Sequence, residues 1–222
     1  MSQLADDWIS RYAKRGALWI HDGNPSRPHA LLTSGKHSNG FFNSELVMED
    51  PLLLDEACFN MAKLLEQGGV DLKKVDRVVG PAMGAITLAH DIARHIGIAR
   101  GHTCLRAYTE KETEGERKVM SFKKTAIRPG ESVLAVEDVI TTGGSVDLTA
   151  AAVNKAGGVV VPIVGVLVNR SGLKTESGRK LVALIDRPMP MWIPEECPLC
   201  KQGSLALRPK GKENWSRLNA TY

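Results

Sequence analysis

The sequence has no long apolar run. Nowhere in its 222 residues does a stretch approach the roughly 18 consecutive apolar positions that span a bilayer. The opening MSQLADDWIS lacks the basic-then-apolar layout of a secretory leader. The expectation is a cytoplasmic protein with no membrane partner. Nor does one charge dominate: 29 Lys and Arg stand against 25 Asp and Glu, a net charge of +4, and no long basic tract occurs. That balance makes no case for a nucleic-acid partner, although a local cluster of cations would suit a small polyanion. Cysteine is scarce, with four in all, and Cys58 and Cys104 lie far apart. Cys197 and Cys200 are close, in CPLC, which is half of a tetrahedral zinc site with no nearby Cys or His to complete it. Two readings stay open there: a zinc ion bound through Cys197 and Cys200, or two reduced thiols in a turn. Internal repeats and low-complexity segments are also missing.

What is present, 43% hydrophobic residues over a chain of this length, suits one α/β domain with small appendages. Helical spacing covers residues 2–16, at Leu4, Trp8, Ile9 and Tyr12, and stops at Gly16. A second helix is predicted over Pro51 to Gln67, where a proline start precedes Leu53, Leu54, Ala57, Met61, Leu64 and Leu65. Between them lie a Pro/Gly/Asn-rich loop at 21–29 and the segment 34–44, SGKHSNGFFNS, which reads as two short extended pieces around a turn at Asn39 and Gly40. From Val75 onward strands and helices alternate: strand 75–79, loop 80–84, helix 85–96, strand 102–108, a charged loop 109–130, strand 132–136, helix 145–157, and strands 159–168 and 181–185. That order predicts a mostly parallel twisted sheet with helices on both faces and a ligand crevice beyond the C-terminal strand ends. Residues 188–222 are rich in Pro, Lys and Arg with weak periodicity, a tail that docks on a partner or stays loose.

The most informative segment is Val133 to Ser145, VLAVEDVITTGGS. Its apolar run Val133 to Val136 fits a strand buried on both faces, and helical spacing resumes at Val146, Ala150 and Val153. Thr141 to Ser145 therefore stands at a helix N-terminus. Open amides and the helix dipole favour an anion there, and Gly143 and Gly144 let the backbone approach a phosphate. Thr141, Thr142 and Ser145 add hydroxyl donors. Just before them, Glu137 and Asp138 only accept hydrogen bonds, which fits two ribose hydroxyls or a magnesium ion held through water. A second strand-to-helix turn, VVGPAMGAI at 78–86, offers further amides over Gly80 to Gly84.

The string 133–145 resembles the ribose-5-phosphate signature of the type I phosphoribosyltransferases, most of all their orotate branch, and the likeness extends over about residues 16–186. It implies their α/β fold with a small N-terminal hood and a C-terminal extension: residues 1–50 as N-terminal helix and base-recognition hood, 51–187 as core, and 188–222 as tail. It implies phosphoribosyl pyrophosphate bound along Glu137, Asp138, Val139, Ile140, Thr141, Thr142, Gly143, Gly144 and Ser145. Pyrophosphate would lie on Pro81, Ala82, Met83 and Gly84, in a loop that often carries a cis peptide. One branch of the family has a lysine in that loop where this chain has Met83 or Gly84. Neutralising pyrophosphate then falls to Thr109 to Thr125, read either as a lid that excludes water or as a plain solvated loop. Lys111, Lys123 and Lys124 join Asp138 as the catalytic candidates. In the family such a lid reaches into the neighbouring subunit, which implies a homodimer.

For orotate, the resemblance offers Lys36, Phe41, Phe42, Thr141 and Arg170, with an aromatic face for the ring and a guanidinium fork for its oxygens or carboxylate. Adjacent strand residues face opposite ways, so one of Phe41 and Phe42 belongs to the core. The cofactor implied is Mg2+, held by substrate oxygens and water without direct side-chain ligation. The activity implied is transfer of ribose 5-phosphate from phosphoribosyl pyrophosphate to orotate, a step of pyrimidine synthesis. The alternatives are a transferase for a purine base and a non-catalytic regulatory protein of the same fold.

Overall fold

The computed structural model of the chain describes residues 3–222. Along the chain run α1 (Gln3–Lys14), β1 (Leu18–Ile20), β2 (His29–Leu31), β3 (His37–Ser38), β4 (Gly40–Phe42), α2 (Glu45–Met48), α3 (Pro51–Gln67), β5 (Arg77–Pro81), α4 (Ile86–Arg100), β6 (Leu105–Glu114) and β7 (Arg117–Ser121). There follow β8 (Ser132–Ile140), α5 (Gly144–Lys155), β9 (Val159–Asn169), β10 (Thr175–Glu176), β11 (Arg179–Asp186), β12 (Met191–Trp192), α6 (Pro198–Lys201), β13 (Ala206–Leu207) and α7 (Lys212–Leu218). No helix among the described residues is long and apolar enough to cross a membrane.

The main sheet has the strand order β10-β11-β9-β8-β5-β6-β7. Its central strands β11, β9, β8, β5 and β6 are parallel, and antiparallel strands close both edges. Along β8, Leu134 and Val136 pack with Trp8, Tyr12, Met61, Leu65, Ile92 and Ile96 from α1, α3 and α4. Val133 and Ala135 point the other way, toward Val153 and Val146 of α5. Each fully buried side chain of the size of Leu65 or Ile92 contributes roughly 1.5–3 kcal/mol. Helix α3 has the bounds predicted for it because its start is doubly specified. Asp50 accepts from the amides of Leu52 and Leu53, and Pro51 needs no acceptor at the first helical position.

The structure departs from the sequence reading in four places. The charged segment 109–130 is largely a hairpin: β6 runs on to Glu114, turns at Gly115 (φ 61°), and pairs with β7. A glutamate-rich strand lies against a basic one, Glu114 opposite Arg117, and Lys123 closes on Glu112 at 2.8 Å. Backbone pairing between strands made largely of charged residues builds this ribbon, which explains why apolar periodicity did not reveal it. Second, β8 continues through Glu137 and Asp138 to Ile140, since Val139 and Ile140 pair with Val168 and Asn169. Third, the reversal in the hood falls at 33–36, where Gly35 adopts φ 81° and the Leu32 amide reaches the Lys36 carbonyl. At Asn39 the chain only passes from one sheet to another, β3 pairing with β2 and β4 with β1.

Fourth, the tail is not loose but folds onto the chain's own N-terminal segment. β12 and β13 flank a four-stranded sheet of order β12-β3-β2-β13, so residues from both ends of the chain build the hood together. α7 seals it. Leu218 is fully buried with Trp19, Ala30 and Leu32, its carbonyl accepts from Trp19 Nε1 at 2.7 Å, and Trp215 meets Phe41 edge to face.

Candidate functional site

Two strand-to-helix turns meet at the C-terminal end of the main sheet. α5 begins on Gly143, in the left-handed region at φ 81° and without a side-chain cap, so its first-turn amides lack the acceptor that a capping residue would supply. Thr142 and Gly144 are exposed, and Thr141 and Ser145 are half-buried. The side chains of Val139 and Ile140 pack into the two core layers, which leaves only their backbone to a ligand. In the other turn, Pro81 ends β5, Ala82 is half-buried, the Ala82–Met83 peptide is cis, and Met83 is 84% exposed. The two turns touch through Asp138 and Gly84: a Cβ built on Gly84 would stand 2.8 Å from Asp138 Oδ2. Glycine at 84 is thus what allows the Asp138 carboxylate to lie against this loop.

Glu137 and Asp138 leave β8 toward different layers. Asp138 is half-buried and near enough to Tyr12 to act on its phenol, whereas Glu137 is 7% exposed on the side of Lys111. Burial pushes the Glu137 carboxyl well above the usual range, the neighbouring Asp138 charge adds to this, and Lys111 pulls weakly the other way. The pair thus resists carrying two full negative charges without a cation. Lys111 and Lys124 are exposed on or beside the hairpin, and Lys123 is engaged by Glu112. A residue the sequence reading did not weigh, Glu176 of β10, leans its carboxylate over Gly143 at the start of α5. Burial and Asp147 raise its pKa, as expected for an acid crowded against another acid.

Arg170 follows β9, its amide bonded to the Ile140 carbonyl at 3.1 Å, so it stands beside the Thr141 turn. Its side chain is 1% exposed. Nη2 donates to Ser38 Oγ at 2.7 Å, and Nε has no acceptor. No carboxylate of the described residues forms an ion pair with it, and burial alone lowers its pKa to about 10, so it remains a cation at neutral pH. Asn169 shapes the turn that carries it, with Nδ2 donating to the Leu173 carbonyl at 2.8 Å. The two phenylalanines are both occupied: Phe42 is core, edge-on to Tyr12, and Phe41 packs on Trp215. Lys36 is half-buried at the end of the hood turn. The structure therefore brings Asp138, Glu137, Gly84, Thr141 to Ser145 and Arg170 to the C-terminal end of the main sheet, while Phe42 is core and the half-buried Phe41 meets Trp215.

A second cluster lies in the hood. The side chains of His29, His37, Cys197 and Cys200 point their ligand atoms at one another, all within 4.8 Å. The CPLC pair does have partners after all, and they are far away in sequence: His29 and His37 come from adjacent antiparallel strands, brought to the cysteines by the pairing of β12 and β13 with that hairpin. None of the four cysteines forms a disulfide.

The Phosphoribosyl transferase domain model matches residues 47–188. An orotate phosphoribosyltransferase of Desulforamulus reducens is 39% identical over 186 residues, 83% of this chain and 89% of that protein. One from Pelotomaculum thermopropionicum is 37% identical over 209 residues, 94% of this chain and 98% of its own length. Among solved structures, the orotate phosphoribosyltransferase of Aeropyrum pernix superposes with a TM-score of 0.58 at 25% identity, covering 79% of this chain and 91% of that one.

Proposed function

The chain belongs to the orotate phosphoribosyltransferase family, and on that footing we propose that it transfers ribose 5-phosphate from phosphoribosyl pyrophosphate to orotate, releasing pyrophosphate, as a cytoplasmic step of pyrimidine nucleotide synthesis. The observation that carries the choice of base is the Arg170 guanidinium, a buried cation without an acid partner among the described residues and with one orphaned donor. A buried charge of this kind is costly unless an anion meets it, and the orotate carboxylate or ring oxygens supply one. A purine brings no carboxylate.

In this reading the first-turn amides of α5 and the hydroxyls of Thr141, Thr142 and Ser145 hold the 5-phosphate. Asp138 and Glu137 take the ribose hydroxyls, and the loop from Pro81 to Gly84 receives the pyrophosphate. The base nitrogen bonds to C1 as the bond from C1 to pyrophosphate breaks, so catalysis rests on alignment and on stabilising the departing charge. Lys111, whose field already reaches Glu137, and Lys124, just beyond the hairpin, are the cations for that task; Lys123 would first have to leave Glu112. The oxygen-only donor set of Asp138 and Glu137 suits magnesium, which would arrive on the substrate, bind these acids through water and draw charge from the leaving group. A homodimer sharing the hairpin across its axis belongs to the same reading, and sedimentation of the full chain tests it.

The deciding experiment follows pyrophosphate release from phosphoribosyl pyrophosphate and magnesium with orotate, adenine, guanine or uracil. Turnover with orotate well above the other bases is expected. Equal or greater turnover with a purine overturns the base, and binding without turnover for any base overturns the activity.

A further inference from the structure

We propose that His29, His37, Cys197 and Cys200 hold one zinc ion that fastens the tail to the hood. This stands independently of the transferase reading. The spacing of the four side chains already has the shape of an occupied site. With metal–sulfur bonds of about 2.3 Å and metal–nitrogen bonds of about 2.05 Å, a tetrahedron sets its nitrogens about 3.3 Å apart and each nitrogen about 3.6 Å from each sulfur. Here His29 Nε2 lies 3.0 Å from His37 Nδ1, 3.6 Å from Cys197 Sγ and 3.5 Å from Cys200 Sγ, and Cys200 Sγ lies 3.2 Å from His37 Nδ1.

The surroundings support the same assignment. Ser204 Oγ spends its proton on the Arg27 carbonyl at 2.6 Å, so at 2.9 Å from His29 Nδ1 it acts as acceptor. That fixes the proton on Nδ1 and leaves the Nε2 lone pair facing the cluster, the outer-shell arrangement of a metal-bound imidazole. His29 and Cys197 are fully buried and His37 is 6% exposed. Two sulfurs and two imidazoles, three of the residues buried and Cys200 half-buried, make a four-ligand set, the donor set of a structural zinc and not of a catalytic one. The ligands come from three parts of the hood: His29 from β2, His37 from β3, and Cys197 and Cys200 from the N-cap and third residue of α6. One ion there cross-links the N-terminal hairpin to the segment that carries β13.

The test uses the full chain. Purified protein should contain one zinc per chain by elemental analysis. Protein stripped by a chelator in denaturant and refolded with cobalt(II) alone should show the intense visible bands of a tetrahedral ion together with thiolate-to-metal charge transfer. Cys200→Ser should lose the zinc and the charge-transfer band, while Cys104→Ser, a buried thiol outside the cluster, keeps both. Should Cys200→Ser fail to fold, the cobalt spectrum of the unaltered chain decides by itself. The proposal is overturned by a chain without stoichiometric metal that takes up cobalt(II) only with a weak octahedral spectrum, or by Cys200→Ser that retains one tightly held zinc.

Discussion

In the crevice, the polar groups come mainly from two turns, 80–85 and 137–145, whose neighbours in sequence are neighbours in space. In the hood, Cys197 and Cys200 reach His29 across 168 and 171 residues. The first region needs only that two strands pair and two helices start; the second needs both ends of the chain in place. The difference predicts how each fails. Damage in the crevice should remove chemistry and leave the fold, whereas damage in the hood should loosen structure first and reach substrate binding through Ser38, which follows His37, accepts from Arg170 and donates to the Pro190 carbonyl at 2.7 Å.

The largest effect should come from Asp138→Asn, which removes the acid lying against Gly84. Turnover should fall about a hundred- to a thousand-fold with unchanged circular dichroism and melting. A folded variant of ordinary activity would break the comparison on the crevice side. Leu218→Ala should cost about 2–5 kcal/mol in the hood, because a fully buried side chain leaves a cavity beneath Trp19. Hydrogen exchange should show that loss in β2 and β3 and spare β8 and β9. Uniform loosening of both regions would mean that they are one cooperative unit. Arg170→Ala should weaken orotate by about ten- to a hundred-fold, the worth of a charge-assisted hydrogen bond, and phosphoribosyl pyrophosphate much less. Equal losses in both Michaelis constants would remove it from base recognition.

The smallest effect concerns Glu137. Its carboxyl is raised in the fold above its unfolded value, so this site's contribution to stability is intact below the unfolded carboxylate range and declines as pH rises through the raised pKa. Glu137→Gln removes the decline. Relative to the unaltered chain, the variant should melt higher at about pH 8 and gain nothing at about pH 4. A gain at acid pH instead would reverse the sign of the shift.

The same contrast explains what could be read without coordinates. α3 was legible to its bounds because cap, proline and apolar stripe are local signals, and the start of α5 was legible because glycines and hydroxyls stand in one string before an apolar helical stripe. The extension of β6 beyond Tyr108 and its pairing with β7 were not, since those residues are largely charged and show no apolar alternation. Nor were His29 and His37. They become a pair through antiparallel pairing, Leu31 against His37, and meet CPLC through strands of two residues that carry almost no pattern of their own. The one trace was the isolated CPLC, a half-site whose missing half had to lie elsewhere. The contact of Phe41 with Trp215 was hidden for a related reason: the two are 174 positions apart, and an aromatic ring looks equally ready for a base or for another ring.

The bond from Trp19 to the Leu218 carbonyl bears on how the molecule is made. Synthesis is vectorial, and Trp19 leaves the ribosome long before Leu218 does. The main sheet can assemble on the nascent chain while the hood hairpin waits, uncovered, for strands translated after it. A stalled or truncated transcript would therefore yield a core that folds under an open roof, with two histidines and an indole exposed for a chaperone or protease to find.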